Sequence, residues 1–168
     1  MIRRLPRNIM RFVLLILIQI LIVNNIEFSG YIIPYIYILF ILLLPFETPK
    51  WVILITGFLL GFTMDIFMNT YGIHTTSTVF IAFIRPSILK ILAPRDGYET
   101  GTYPRIFYYG FWWFIRYSAV IIIIHHSLLF YLELFSVTNI FPNLIRVILS
   151  SVFSLTLVVL SQFFVFRK

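Results

Sequence analysis

The chain consists of long apolar runs separated by short polar or charged connections. A helix that crosses a bilayer needs about 20 predominantly apolar residues, and six runs approach that length. They predict membrane-spanning helices over residues 10–28, 31–46, 51–68, 73–92, 111–134 and 140–166. We therefore expect an all-α integral membrane protein with six transmembrane helices, forming a single polytopic membrane domain over residues 1–168.

The fourth run leaves two structures open. Its first half is polar, and Arg85 and Pro86 interrupt its second half. Residues that precede proline are biased away from helical geometry. The pattern is compatible with one kinked helix over residues 73–92. It is equally compatible with a short span followed by an interfacial helix, in which Lys90 reaches the lipid head groups.

The composition indicates that lipid is the main solvent of this chain. Hydrophobic residues make up 61% of the sequence and charged residues only 11%, whereas about 25% is typical of soluble domains. The net charge of +7 would suit a nucleic-acid partner if the basic residues formed one folded face. They stand instead at the ends of apolar runs, so we predict no nucleic-acid binding.

The distribution of basic residues predicts the orientation. With six spans, 12 of the 13 lysines and arginines lie on the side of the two termini, and only Arg146 lies on the other. Because basic loops remain in the cytoplasm, both termini are expected inside. The loop over residues 94–105 then carries three candidate contacts for a cytoplasmic partner, Arg95, Asp96 and Arg105. The alternative is a charged connector near anionic lipid.

The third run contains a stripe of small residues that ends in an acid. Gly57, Gly61 and Asp65 are spaced by four, which places them on one helix face, and small residues let another helix approach closely. A carboxylate at the bilayer centre costs roughly 2.5–3.5 kcal/mol, so Asp65 should face protein or water and find a partner. We favour structural capping or pairing over ion transport. The predicted helix-packing or partner-binding residues are Gly57, Gly61, Asp65, Asn69, Gly72 and His74.

The sequence offers no recognisable catalytic or metal-binding set. It contains no cysteine and three histidines. The side chains of His125 and His126 would point about 100° apart on a helix, and no zinc-type spacing occurs. No nucleophile stands with a positioned base and an orienting group. We therefore predict that the protein is not an enzyme and takes no metal and no cofactor.

Polar residues also collect in the half of the spans remote from the cytoplasm. They predict a polar or hydrated region there that receives either a partner's helix or a small ligand. These residues are Asn24, Asn25, Glu27, Asp65, Asn69, His74, Thr75, Thr76, His125, His126 and Glu133.

The stretch from Gly57 to Phe67, followed by Tyr71-Gly72-Ile73-His74, resembles the signature of the rod-shape-determining MreD family. In that family a G-x-x-x-G-x-x-x-D run closes one helix, and a short glycine-containing turn precedes the next. The resemblance covers about eighteen residues, while length, span number and orientation are also compatible with it. It implies a fold similar to the substrate-binding S component of energy-coupling-factor transporters.

The same resemblance implies a non-enzymatic role in cell shape and lateral peptidoglycan synthesis. The protein would lie in the bacterial cytoplasmic (inner) membrane, in contact with membrane lipid. MreC would be its direct partner, and MreB, RodA and the elongation transpeptidase would be members of the same complex. The alternative is a vitamin-like small-molecule binding subunit of an energy-coupling-factor-type transporter.

Overall fold

The computed structural model describes residues 5–25, 32–134 and 140–164. Within these ranges 77% of the residues are helical and none forms a strand, so the predicted all-α class is confirmed. The ends of three predicted spans, residues 26–28, 31 and 165–166, lie outside the described residues, as does Glu27. The helices are α1 (Leu5–Leu21), α2 (Leu39–Leu42), α3 (Lys50–Met68), α4 (Ile73–Ile91), α5 (Ile106–Tyr109), α6 (Phe111–Leu134) and α7 (Ile140–Phe164), with a 3₁₀ turn at Val23–Asn25.

Four segments of the described chain are long and apolar enough to cross a membrane. They are Asn8–Asn25, Lys50–Met68, Phe111–Leu134 and Phe141–Phe164. Each belongs to one of the predicted spans. The chain is therefore helical with four candidate membrane spans.

The prediction of a helix over residues 31–46 is wrong. In this segment only Leu39–Leu42 is helical, although residues 37–44 are almost completely buried. Pro34 lacks the N–H group that helical hydrogen bonding requires. Nearby N–H groups instead find acceptors on other helices: Ile33 N–H donates to Ser150 Oγ (3.1 Å) and Tyr35 N–H to Ser154 Oγ (2.8 Å). The described part of the segment is thus extended and rich in turns, and it lies inside the helical bundle. We call residues 32–46 the strap.

Helix α4 resolves the ambiguity of the fourth run. It continues as one helix from Ile73 to Ile91 with Pro86 inside it, so a separate interfacial helix after residue 85 does not form. It forms a hairpin with α3 and also packs on α6, which packs on α7. The strap lies between these helices and α1.

Six of the eight basic side chains that the structure describes lie at one end of the bundle. There Phe46 stacks on Tyr98 with ring centroids 4.0 Å apart, and Trp113 Nε1–H donates to the carbonyl of Leu92 at 2.9 Å. We call this end, which carries Arg11, Lys50, Lys90, Arg95, Arg105 and Arg116, the basic end. The turn between α3 and α4 lies at the opposite end.

Candidate functional site

The glycine stripe of α3 is the contact face of the α3–α4 hairpin. A Cβ atom added at Gly61 would lie 2.5 Å from the Cα of Thr75 and 2.7 Å from the carbonyl oxygen of His74. One added at Gly57 would lie 2.9 Å from the Cβ of Ala82. Glycine at these positions therefore lets the two helix backbones touch. This face is occupied by the chain's own α4.

Asp65 caps the amino end of α4 from the neighbouring helix. One carboxylate oxygen accepts the His74 N–H at 3.0 Å, and the other accepts the Thr75 N–H at 2.9 Å. The hydroxyls of Thr70 and Thr75 donate to the same carboxylate. The first N–H groups of a helix have no partner within it, and a negative charge there also interacts favourably with the helix dipole. Asp65 therefore stabilises the hairpin by capping α4.

The turn between the two helices depends on two residues with positive φ. Asn69 ends α3 with φ of 53°, a left-handed conformation that asparagine tolerates better than most residues. Gly72, at φ of 81°, precedes the first residue of α4. These angles turn the chain so that the first N–H groups of α4 meet Asp65. The Asn69 side chain is exposed.

His74 continues the site into the centre of the bundle. The hydroxyl of Tyr37, on the strap, lies 2.9 Å from His74 Nδ1 and 2.9 Å from His125 Nε2. A hydroxyl donates one hydrogen bond and accepts others, so one imidazole donates to Tyr37 and the other accepts from it. His74 is 2% exposed and His125 fully buried. The contact joins α4, α6 and the strap.

His126 belongs to a second buried chain of hydrogen bonds. Its Nδ1 lies 2.9 Å from the carbonyl oxygen of Ile122, which only accepts, so Nδ1 carries the proton. In a neutral ring Nε2 is then an acceptor, and it receives the hydroxyl of Ser154 at 3.0 Å. Ser154 in turn accepts the N–H of Tyr35. Each donor in this chain of hydrogen bonds therefore faces an acceptor.

Gln19 of α1 holds the strap from the other side. Its Oε1 accepts the Ile36 N–H at 2.7 Å, while its Nε2 donates to the carbonyl of Pro34 at 3.1 Å and to Asn24 Oδ1 at 2.8 Å. Gln19 is fully buried. One amide side chain thus satisfies strap groups on both sides of Tyr35.

Arg85 is a fully buried cation in the second half of α4, toward the basic end. Its Nε–H donates to the Tyr117 hydroxyl at 2.9 Å, and Nη2 donates to the carbonyl of Leu44. The Tyr117 hydroxyl in turn donates to the carbonyl of Leu42 at 3.0 Å. The carbonyl of Leu42 belongs to the last residue of α2 and that of Leu44 lies just beyond it, where carbonyls have no N–H partner within the helix. Arg85 therefore organises the second half of the strap, as Gln19 and Ser154 organise the first.

The predicted loop contacts lie at the basic end, remote from the hairpin turn. The Gly97 N–H donates to the carbonyl of Pro94 at 3.0 Å, which places Arg95 and Asp96 at the exposed middle of a turn. Arg105 is half-buried with its guanidinium carbon 4.9 Å from the centre of the Tyr103 ring. The structure thus separates these three residues from the Gly57–His74 group.

Tyr98 fixes this loop to the end of α4. Its hydroxyl donates to the carbonyl of Leu89 at 2.7 Å, and burial raises the pKa of Tyr98 to about 12. Since Trp113 donates to Leu92, two aromatic side chains satisfy carbonyls at the end of α4. The loop is folded onto the bundle apart from its exposed turn.

The sequence patterns did not point to the side chains that hold the strap, which are Gln19, Tyr37, Arg85, Tyr117, Ser150 and Ser154. For four of these residues the sequence does contain a pattern that could have indicated buried polar contacts. Ser150 and Ser154 are spaced by four and share one face of α7, and Gln19 and Arg85 are isolated polar residues within apolar runs. Polar side chains in such positions require partners. Their partners are backbone groups of the strap, which the pattern assigned to a helix.

The fold and these contacts define a helical protein with four candidate membrane spans and an internal polar core. No family model matches the chain, and neither the curated proteins nor the solved structures contain a match to it. The likeness to the MreD family therefore rests on the motif over residues 57–74.

Proposed function

We propose that this chain is a non-enzymatic scaffold of the bacterial cell-elongation complex, of the MreD type, in the cytoplasmic membrane. It binds MreC and acts with MreB, RodA and the elongation transpeptidase. The observation that carries the proposal is that the motif residues build one unit. Gly57 and Gly61 allow the close helix contact, Asp65 caps the second helix, and Gly72 shapes the turn. The four candidate spans support a membrane location.

The internal pairing of polar groups favours a scaffold over a small-molecule binding subunit. A ligand site presents convergent polar groups to a cavity. Here His74, His125 and His126 are at most 2% exposed. The hydrogen bonds that they make go to Tyr37, Ile122 and Ser154. His125 Nδ1 is buried without a hydrogen-bond partner, but all three rings are held by groups of the protein itself. Such an enclosed polar core suits a protein that presents its surface to other membrane proteins.

The proposal includes six crossings with both termini in the cytoplasm. Residues 32–46 run from the contacts with Ser150 and Ser154 to the Phe46–Tyr98 stack at the basic end. Non-helical backbone is tolerated at membrane depth where protein encloses it, and this strap is enclosed. It provides the second crossing, and α4, with its buried polar residues, provides the fourth.

Affinity purification of the tagged chain from membranes in mild detergent tests this function, with mass spectrometry of the proteins recovered. We expect MreC in near-stoichiometric amount, together with the wall-synthesis enzymes. Recovery of ATPase-module subunits without MreC would contradict the scaffold and favour the transporter alternative.

Variants of the hairpin and of the loop show whether MreC binding depends on the hairpin or whether the hairpin only supports folding. Gly61→Ala perturbs the packed α3–α4 contact, whereas Asp96→Ala changes an exposed turn at the basic end. If MreC requires the intact hairpin, the first variant loses MreC and the second retains it. Retention of MreC by a Gly61→Ala protein with lowered thermal stability would show that the hairpin only serves folding.

A further inference from the structure

An apolar groove runs between α1 and α3, starting at the basic end. Its volume is about 510 Å³. Phe12, Phe40, Val52 and Leu59 line its length, and Asn8 and Thr48 stand at its polar end. Ile9 and Leu59, which also line it, are 56% and 49% exposed, so the groove opens on the outer surface of the bundle. Both flanking helices are candidate membrane spans.

The length of the groove matches one leaflet of a bilayer. From Pro49 to Leu59 the chain rises ten residues, or about 15 Å at 1.5 Å per residue. The hydrocarbon of one leaflet is about half of 30 Å. An apolar groove of that length, open between two spans, suits an acyl chain whose head group lies at the basic end.

Two arginines lie behind the polar end of the groove and contact the residues that line it. Arg11 is hydrogen-bonded to Asn8 through Nη2 at 3.4 Å, and its guanidinium carbon lies 5.4 Å from the centre of the Phe40 ring. Its Nε is shielded from solvent and has no hydrogen-bond partner. Arg85 donates to the carbonyl of Leu44, itself a groove residue. Both arginines are thus tied to residues of the groove wall.

Within the described ranges, neither arginine is paired with an acid. Arg11 interacts electrostatically with Arg85 and Arg105, and no carboxylate of the described residues forms an ion pair with Arg11 or Arg85. Glu47 also lines the groove, but its Oε1 accepts the Gly101 N–H at 3.0 Å, toward the loop. Arginine recognises phosphate through paired, charge-assisted hydrogen bonds, and basic sites between spans bind anionic head groups.

We propose that this groove is a binding site for an anionic glycerophospholipid of the surrounding membrane. The phosphate lies against Arg11, and one acyl chain fills the space between α1 and α3. The site is independent of the scaffold role, because it uses neither the hairpin turn nor a protein partner.

The test compares phosphatidylglycerol with phosphatidylcholine carrying the same acyl chains, added to the purified full chain in mild detergent. Binding is measured by native mass spectrometry and by the shift of the thermal midpoint. We expect phosphatidylglycerol to bind at least about tenfold more tightly, because both lipids present a phosphate but the choline of phosphatidylcholine adds a positive charge close to the arginines, and like charges repel. Equal binding of the two lipids would overturn the proposal, as would an equal effect of inorganic phosphate alone.

Two variants locate the site and one serves as control. Arg11→Gln should reduce the preference for phosphatidylglycerol about tenfold, and Thr56→Phe should weaken both lipids by filling the groove. Arg116→Gln changes an exposed arginine on α6 and should leave binding unchanged. Equal effects of Arg11→Gln and Arg116→Gln would show only a general response to charge. Loss of self-association in Thr56→Phe with unchanged lipid binding would assign the groove to a second copy, and either result would overturn the proposal.

Discussion

At the scale of single residues, Asp65 joins two helices through one carboxylate. It lies in the last turn of α3 and supplies acceptors for the first N–H groups of α4. The spacing of Gly57, Gly61 and Asp65 was sufficient to predict that they share a packed face, because helical periodicity alone decides that. The donors to Asp65 were not predictable, since they depend on how Asn69 and Gly72 turn the chain.

We expect Asp65→Ala to lower the free energy of unfolding by about 2 kcal/mol, because it removes the acceptors for two helix N–H groups. Thermal unfolding in mild detergent measures this loss. Asp96→Ala removes the same charge from an exposed turn and should leave the midpoint nearly unchanged. Equal midpoints for the two variants would mean that the Asp65 cap contributes nothing to stability.

The two glycines of the stripe should differ in their tolerance of a methyl group. Replacing a helical glycine by alanine gains about 1 kcal/mol of helix propensity, while overpacking typically costs 1–3 kcal/mol. At Gly61 the new Cβ meets backbone, which moves only if the helices separate, whereas at Gly57 the nearest atom is a side-chain methyl. Gly61→Ala should therefore destabilise the protein clearly and Gly57→Ala little, as read from their thermal midpoints. The reverse order would contradict the hairpin contact.

At the scale of elements, the strap over residues 32–46 is the main departure from expectation. Its apolar composition predicts a span, and its burial agrees with that composition, but Pro34 and the side-chain acceptors replace helical hydrogen bonds. Helices α3 and α6 were predictable to within a residue because each is a long, predominantly apolar run without an internal proline. The strap was not, because its conformation depends on Gln19, Ser150, Ser154 and Arg85 in distant segments.

Loss of one acceptor should loosen the strap locally. Ser154→Ala leaves the buried Tyr35 N–H without its acceptor, at a cost of about 1–3 kcal/mol. Thr156→Ala is the matched control, because that exposed hydroxyl bonds only to Val152 of its own helix. Hydrogen exchange read by mass spectrometry should become faster at the amides of residues 33–37 in the first variant only. Unchanged exchange in Ser154→Ala would contradict the anchoring role.

At the scale of the whole molecule, polar groups are directed inward and apolar faces outward. The aromatic contacts at the basic end and the Asp65 cap at the opposite end close the bundle at both ends. The charge pattern predicts which end faces the cytoplasm, since basic loops stay inside. The proposed scaffold role requires the basic end to lie there.

Labelling of single cysteines in spheroplasts tests that arrangement most directly, because the natural chain has no cysteine and each introduced thiol is the only one present. Tyr71→Cys lies in the turn between α3 and α4, where the native side chain is fully exposed, and Asp96→Cys lies in the exposed turn at the basic end. A membrane-impermeant maleimide should label Tyr71→Cys from outside and Asp96→Cys only after permeabilisation. Labelling of both from outside, or in the reverse order, would contradict the account.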